Sequence, residues 1–149
     1  HVPLVLDASV AVKWVIDEAY TDQALTLLQV SGRDRRPLGE PPHLPGEVVH
    51  DLYQRWRGAD PTRHLTTSEA DEALSRFLAV RIELLNPPEL YGRAFTFARI
   101  HSLPSIYDAL YVVLAQLLGA DLWTADQRLL AALGSAAPWV RSIADYPLL

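Results

Sequence analysis

One segment, Leu103 to Leu130 (LPSIYDALYVVLAQLLGADLWTADQRLL), constrains the fold more than any other part of the chain. Ser105 stands where an N-cap is wanted, and the apolar run from Ile106 to Leu118 is about three and a half turns long. Gly119 supplies a helix stop. Asp121-Leu122-Trp123-Thr124 follows as a short apolar step ending at Ala125-Asp126, and Gln127 to Leu133 returns to a helical pattern. Helix, short strand, helix is half of a parallel α/β unit. It carries two acids, Asp108 and Asp126, each beside a helix start. Either has an ordinary explanation. Ser105 and Asp108 have capping-box spacing, and Asp126 suits the positive end of the next helix.

The same alternation runs through the rest of the chain. Val2 to Leu6 is a continuous apolar run ending at Asp7, the pattern of a buried parallel strand. Val10 to Ile16 reads as helix, and Thr21 to Val30 as an amphipathic helix with Ala24, Leu25, Leu27 and Leu28 inward. Ser31 to Glu40 reads as an arginine-rich loop, and Pro41 to Leu44 as a second short strand. Pro45 suits a helix first turn, and Val48 to Trp56 continues as helix. Thr67 or Ser68 caps a helix over Glu69 to Val80. Arg81 to Leu85 is a strand candidate, Glu89 to His101 a helix, and Trp139 to Ile143 a last strand before the Asp145 to Leu149 tail. About four to five short strands alternating with helices specify an α/β fold: three layers, α/β/α, around a mainly parallel sheet. No repeat or long linker divides the 149 residues, so a single domain over 1–149 is expected.

The absence of cysteine excludes disulfides, thiolate metal sites and cysteine nucleophiles. It fits the cytoplasm, where the protein is expected; the first residues, His1-Val2-Pro3, run at once into a strand pattern and are not read as a signal peptide. The longest apolar run, near Val112 to Leu118, is broken by Gln116 and falls short of a membrane span. A net charge of −5 argues against binding nucleic acid through the whole surface. Local arginine groups remain, and Arg33, Arg35, Arg36, Arg55 and Arg57 are candidates for holding a phosphate backbone. His43, His50, His64 and His101 have no paired spacing, so no zinc site is expected. Trp14, Trp56, Trp123 and Trp139 are expected in the core or at a dimer contact, with Trp123 buried. Ser9 and Ser105 lack a histidine at a spacing that would suggest a serine hydrolase.

Four acids gain meaning from the expected topology. Asp7 follows the first strand, Asp126 follows the Trp123 strand, and Glu47 and Asp108 open helices. In a parallel sheet with right-handed crossovers the carboxyl ends of the strands share one edge, where open α/β folds build their sites. Two carboxylates ~4 Å apart repel by roughly 4 kcal/mol at an effective dielectric near 20, whereas a helix dipole returns about 0.3–1 kcal/mol. Such a cluster needs a cation or must keep some acids protonated. Hard oxygen donors favour Mg²⁺ or Mn²⁺, which bind phosphate oxygens well.

The segments Leu6-Asp7-Ala8-Ser9-Val10 with Trp14, Glu47-Val48-Val49, Tyr107-Asp108-Ala109-Leu110-Tyr111 with Leu114-Ala115, and Leu122-Trp123-Thr124-Ala125-Asp126 with Leu129 together resemble the PIN domain. More closely, they resemble the VapC toxins of bacterial toxin–antitoxin pairs, over Val2 to about Ile143. The resemblance implies a Mg²⁺- or Mn²⁺-dependent endoribonuclease with Asp7, Glu47, Asp108 and Asp126 as catalytic and metal-binding residues. By the same resemblance Ser9 and Thr124 support the quartet. It further implies a homodimer, an RNA substrate and a VapB-type antitoxin partner. The chain departs from the family pattern at His50 and Asp51, and Glu40, in a loop, is the only nearby substitute for Glu47.

Rival readings fit less well. A haloacid-dehalogenase-type phosphatase needs a second Asp where Ser9 stands, and a receiver needs a late lysine where the only lysine is Lys13. A catalytically silent PIN-like protein-binding module usually loses acids that this chain keeps.

Overall fold

The computed structural model describes residues 2–149, so His1 and its place in the amino end lie outside the described residues. Five short strands form the sheet: β1 (Val5–Leu6), β2 (Gly39–Glu40), β3 (Glu83–Leu84), β4 (Leu122–Thr124) and β5 (Val140–Ser142). β1 pairs with β4, β4 with β5, and β2 with β3, every pair parallel. A single parallel bridge between Leu4 and Leu38 joins the two groups, giving the spatial order β3-β2-β1-β4-β5. The helices are α1 (Ala8–Ala11, continued by a 3₁₀ turn over Val12–Trp14), α2 (Thr21–Arg33), α3 (Leu44–Trp56), α4 (Thr67–Leu78), α5 (Leu90–Ile100), α6 (Ile106–Leu118) and α7 (Gln127–Leu133). The α/β class and parallel sheet are as the alternating pattern requires.

The central strands are buried on both faces, which is why they read as apolar runs: Val5, Leu6 and Leu122 are wholly inaccessible. α6 lies between the sheet and α5. Its inner face packs Tyr111, Val112 and Ala115 into the main core, and its outer face closes Leu110, Val113 and Leu114 against Leu90 and Ala94 of α5. Seven consecutive residues, Ala109 to Ala115, are consequently buried, which anchors the helix whose first turn carries Asp108. Ser105 caps it through the Tyr107 N–H at 3.1 Å, and Gly119 ends it in the left-handed region at φ 66°. Among the described residues no helix is long and apolar enough to cross a membrane.

The second strand lies earlier than the sequence suggests. Pro41 and Pro42 have no N–H for a ladder, so pairing falls on Gly39–Glu40, inside the expected loop, and α3 begins at Leu44. Gly39 permits the close approach: a Cβ there would come within 3.0 Å of Leu85 and 3.1 Å of Pro3. The first helix starts at Ala8, because the Asp7 carbonyl accepts the Val10 and Ala11 N–H groups, and it tightens into 3₁₀ geometry from Val12. α4 is capped by Thr66, in a reciprocal box with Glu69, and not by Thr67 or Ser68.

Leu122, fully buried in the middle strand, is expected to cost about 2–5 kcal/mol when cut to Ala. Leu148→Ala, at a site 57% exposed, is expected to shift stability by no more than about 0.5 kcal/mol. Urea denaturation of the two variants measures both.

Candidate active site

The strand order reverses between β1 and β4, whose neighbours lead away in opposite directions. That reversal opens a crevice beyond the carboxyl ends of the two strands. Leu6 pairs with Trp123, so the residues that follow, Asp7 and Thr124, emerge side by side. The Asp7 N–H still donates to the Trp123 carbonyl at 3.2 Å, fixing the acid to its neighbour strand.

Asp7 occupies the N-cap position of α1 without capping it. Its carboxylate instead accepts the Ser9 hydroxyl at 2.5 Å on Oδ1 and the Thr124 hydroxyl on Oδ2. Both hydroxyls are bonded a second time. Ser9 Oγ accepts the Ala125 N–H at 2.9 Å, and Thr124 Oγ1 accepts the Asp126 N–H at 3.0 Å. Asp7 is thus locked from both sides to the turn that carries Asp126. Asp126 is the N-cap of α7, its Oδ1 accepting the Arg128 and Leu129 N–H groups at 3.0 and 3.2 Å. The capping explanation therefore holds for this residue. It does not hold for Asp108: Ser105 caps α6 alone, and Asp108 has no hydrogen-bond partner among the described residues.

The electrostatics show what these positions cost. Burial pushes the Asp7 carboxyl up to about 6. The Ser9 and Thr124 hydroxyls oppose that rise, and the charges of Asp108 and Asp126 add to it. Asp108 is likewise raised to about 6, by burial first, then by Asp126 and Glu47, with Arg128 the opposing cation. Asp7, Asp108 and Asp126 therefore sense one another, and Glu47 joins through Asp108.

Glu47 lies in the first turn of α3. The Tyr111 hydroxyl donates to its Oε1 at 2.6 Å, and His43 Nε2 stands 3.5 Å from the same oxygen. Tyr111 is nearly buried, and burial followed by the Glu47 charge keeps its phenol protonated. Burial also lowers the His43 imidazole, against the pull of Glu47. Glu40, the substitute considered for Glu47, lies beneath the crevice, close enough for the Asp7 charge to reach it but closed to solvent. It is inaccessible within β2, its Oε2 accepting the Leu6 N–H at 3.2 Å, and burial holds its carboxyl well above the usual range.

The carboxylates are hard oxygen donors with no thiolate beside them, a set that fits a divalent ion such as Mg²⁺ or Mn²⁺ in charge and chemistry. As the side chains stand, no three His, Asp or Glu groups among the described residues converge to hold a metal. Glu47 is engaged by Tyr111 and Asp7 by two hydroxyls.

The arginines singled out in the sequence do not meet the acids. Arg36 precedes the strand start at Leu38 and donates to the Val2 carbonyl at 3.1 Å, so Arg33, Arg35 and Arg36 lie toward the amino edge of the parallel sheet, opposite Asp7. Arg33 pairs with Asp34 at 2.9 Å. Arg55 is buried, bonded to Asp51 at 2.7 Å and to Glu18 at 2.9 Å, with Lys13 on the same Glu18 at 2.8 Å. It is a packing residue, and Asp51, unusual for the sequence pattern, is its partner. Arg57 bonds Gln54 at 3.1 Å on the surface. The cation near the acids is Arg128, and its only sequence signal was its place two residues after Asp126.

The sequence model of the PIN domain matches residues 4–134, nearly the whole chain. This chain belongs to the PIN-domain family. Its fold is similar to the crystal structure of PAE2754 from Pyrobaculum aerophilum, with a TM-score of 0.64 and 21% identity over 96% of this chain and 92% of that one. No curated protein matches. PIN domains are typically metal-dependent nucleases, and the position of the acids at the switch point suits that class.

The raised carboxyls make a pH prediction. A carboxyl with a folded pKa of about 6 against 3.8 unfolded favours the fold below 3.8, and that contribution is lost as pH rises through about 6. Without divalent ions, the contribution of these two acids to the thermal midpoint should fall between about pH 4 and 7. Asp108→Asn should flatten that fall and melt higher than the native chain at pH 7, which calorimetry across the pH series measures.

Proposed function

We propose that this PIN domain is a Mg²⁺- or Mn²⁺-dependent endoribonuclease, the toxin of a VapC-type pair, acting in the cytoplasm and silenced by a VapB-type antitoxin. The observation that carries the nuclease reading is the mutual charge of Asp7, Asp108 and Asp126 at the strand-order reversal, in a chain that the PIN model covers from residue 4 to 134. Asp7, Glu47, Asp108 and Asp126 would hold the ion. Once bound, it offsets their repulsion and the charge of a scissile phosphate, and lowers the pKa of a bound water.

The chain's own groups have separable tasks. Ser9 and Thr124 bond both oxygens of Asp7 and so set its orientation at the end of β1. Tyr111 does the same for Glu47 by donating to Oε1. Asp108, the acid without a hydrogen-bond partner among the described residues, is the carboxylate left to orient the attacking water and accept its proton. The Arg128 charge reaches the same acid and would favour an RNA phosphate near it. In-line attack leaves a 5′-phosphate and a 3′-hydroxyl, as the family resemblance implies.

Cleavage of single-stranded RNA with Mg²⁺ or Mn²⁺, stopped by EDTA, is the expected result, with Asp7→Asn reducing kcat by about 10²-fold or more. Cutting that survives both EDTA and Asp7→Asn refutes the assignment. Growth arrest on induced expression, relieved by a co-expressed antitoxin, tests the toxin role.

We also propose a homodimer. Tyr91, Phe95 and Ile100 of α5 are 55%, 60% and 70% exposed and supply unpartnered apolar area for it. Sedimentation should give twice the chain mass, and Phe95→Glu should return it to the monomer value.

A further inference from the structure

Beside Glu47 lies a cavity of about 450 Å³, lined by Pro42, His43, Gly46, Glu47, His50 and Tyr107. Its position is fixed by two helix starts. The first turn of α3 brings His43, Gly46 and Glu47, and the first turn of α6 brings Tyr107 directly before Asp108. The cavity thus shares a wall with the carboxylate crevice.

Its walls are planar. Tyr107 is 52% exposed, unlike Tyr111, which is buried one turn further along α6. The His43 ring backs it, the two centroids 5.1 Å apart and the planes 39° from parallel. His43 also packs against Tyr111, the ring centroids 4.6 Å apart. Tyr107 is therefore linked through His43 to a core residue, while about half of its own surface stays accessible. Pro42 adds an apolar wall, and Gly46 leaves the floor open, since a Cβ there would meet nothing within 4 Å.

A small recess with a rigid, accessible aromatic wall, adjoining a site for phosphodiester cleavage, is complementary to a flat heterocycle attached to the cleaved backbone. We propose that this cavity receives the nucleobase of the nucleotide beside the scissile phosphate, stacked on Tyr107. The inference rests on the ribonuclease reading above and adds a base-binding residue to it, which needs a base at the cut that is free to leave its stack. Duplex RNA keeps its bases paired inside the helix and cannot fill the cavity. Stacking is tolerant of base identity because every base has a π-face, so Tyr107 selects single-stranded RNA and not a sequence. Tyr107 is a substrate-binding residue and leaves the chemical step to the acids.

The test is steady-state cleavage of a labelled single-stranded oligoribonucleotide with one main cut, beside the same oligomer carrying an abasic ribose next to the cut. The native chain, Tyr107→Ala and Tyr107→Trp are compared, with circular dichroism establishing that each variant is folded. Tyr107→Ala should raise KM about tenfold with kcat within about threefold, and Tyr107→Trp should restore KM. Removing the base should raise KM for the native chain by a similar factor and add nothing in Tyr107→Ala. Equal losses from the abasic ribose in both proteins overturn the base site. An unchanged KM for Tyr107→Ala overturns it too, and is the result expected if the cavity takes a side chain of a protein partner. If the native chain cuts no RNA with Mg²⁺ or Mn²⁺, the ribonuclease reading fails first and the base site fails with it.

Discussion

The bond pattern around Asp7 governs the rest of the site. A carboxylate at the end of a buried strand, with like charges near it, is unstable unless both oxygens are satisfied. Ser9 and Thr124 satisfy them with hydroxyls, not cations, so the negative charge is retained and oriented instead of being neutralised. The same hydroxyls take N–H groups of the next strand's turn, so one network sets the acid and couples it to Asp126. An arginine at either position would neutralise Asp7 and remove the reason for a divalent ion to bind there.

Other parts of the fold serve the same end at larger scale. α6 is buried on two sides, which holds Asp108 and Tyr107 at a fixed height above the sheet. The Tyr111 phenol reaches from that helix to Glu47 on α3, so the two helices that carry acids are tied by a side-chain bond near the crevice. Arg55 and Lys13 are held away from the crevice by Glu18 and Asp51 in a partly buried ion cluster.

What could be read in the sequence followed from how local its cause was. The α6 start and stop, the Trp123 strand and the parallel sheet are encoded within a few residues, and they sufficed to direct Asp7 and Asp126 toward one edge. β2 leaves no local signal because two residues carry no periodicity, and a buried Glu40 resembles a loop residue until its bond to Leu6 is seen. Arg55 looked like a surface arginine because its partner Glu18 is 37 residues away. The Tyr111–Glu47 bond spans 64 residues and left no trace in spacing. The wall of rings beside Glu47 is likewise a product of packing, with His43 and Tyr107 far apart in the chain.

The sheet itself has a seam. β1 meets β4 through a regular ladder, whereas β1 meets β2 through one rung at Leu4 and Leu38 and the Glu40 carboxyl on the Leu6 N–H. The seam separates the strand that leads to Glu47 from the strands that lead to Asp7 and Asp126. A change at Leu4 or Leu38, buried at that seam and bearing no charge, would therefore alter the gap between the fourth acid and the other three.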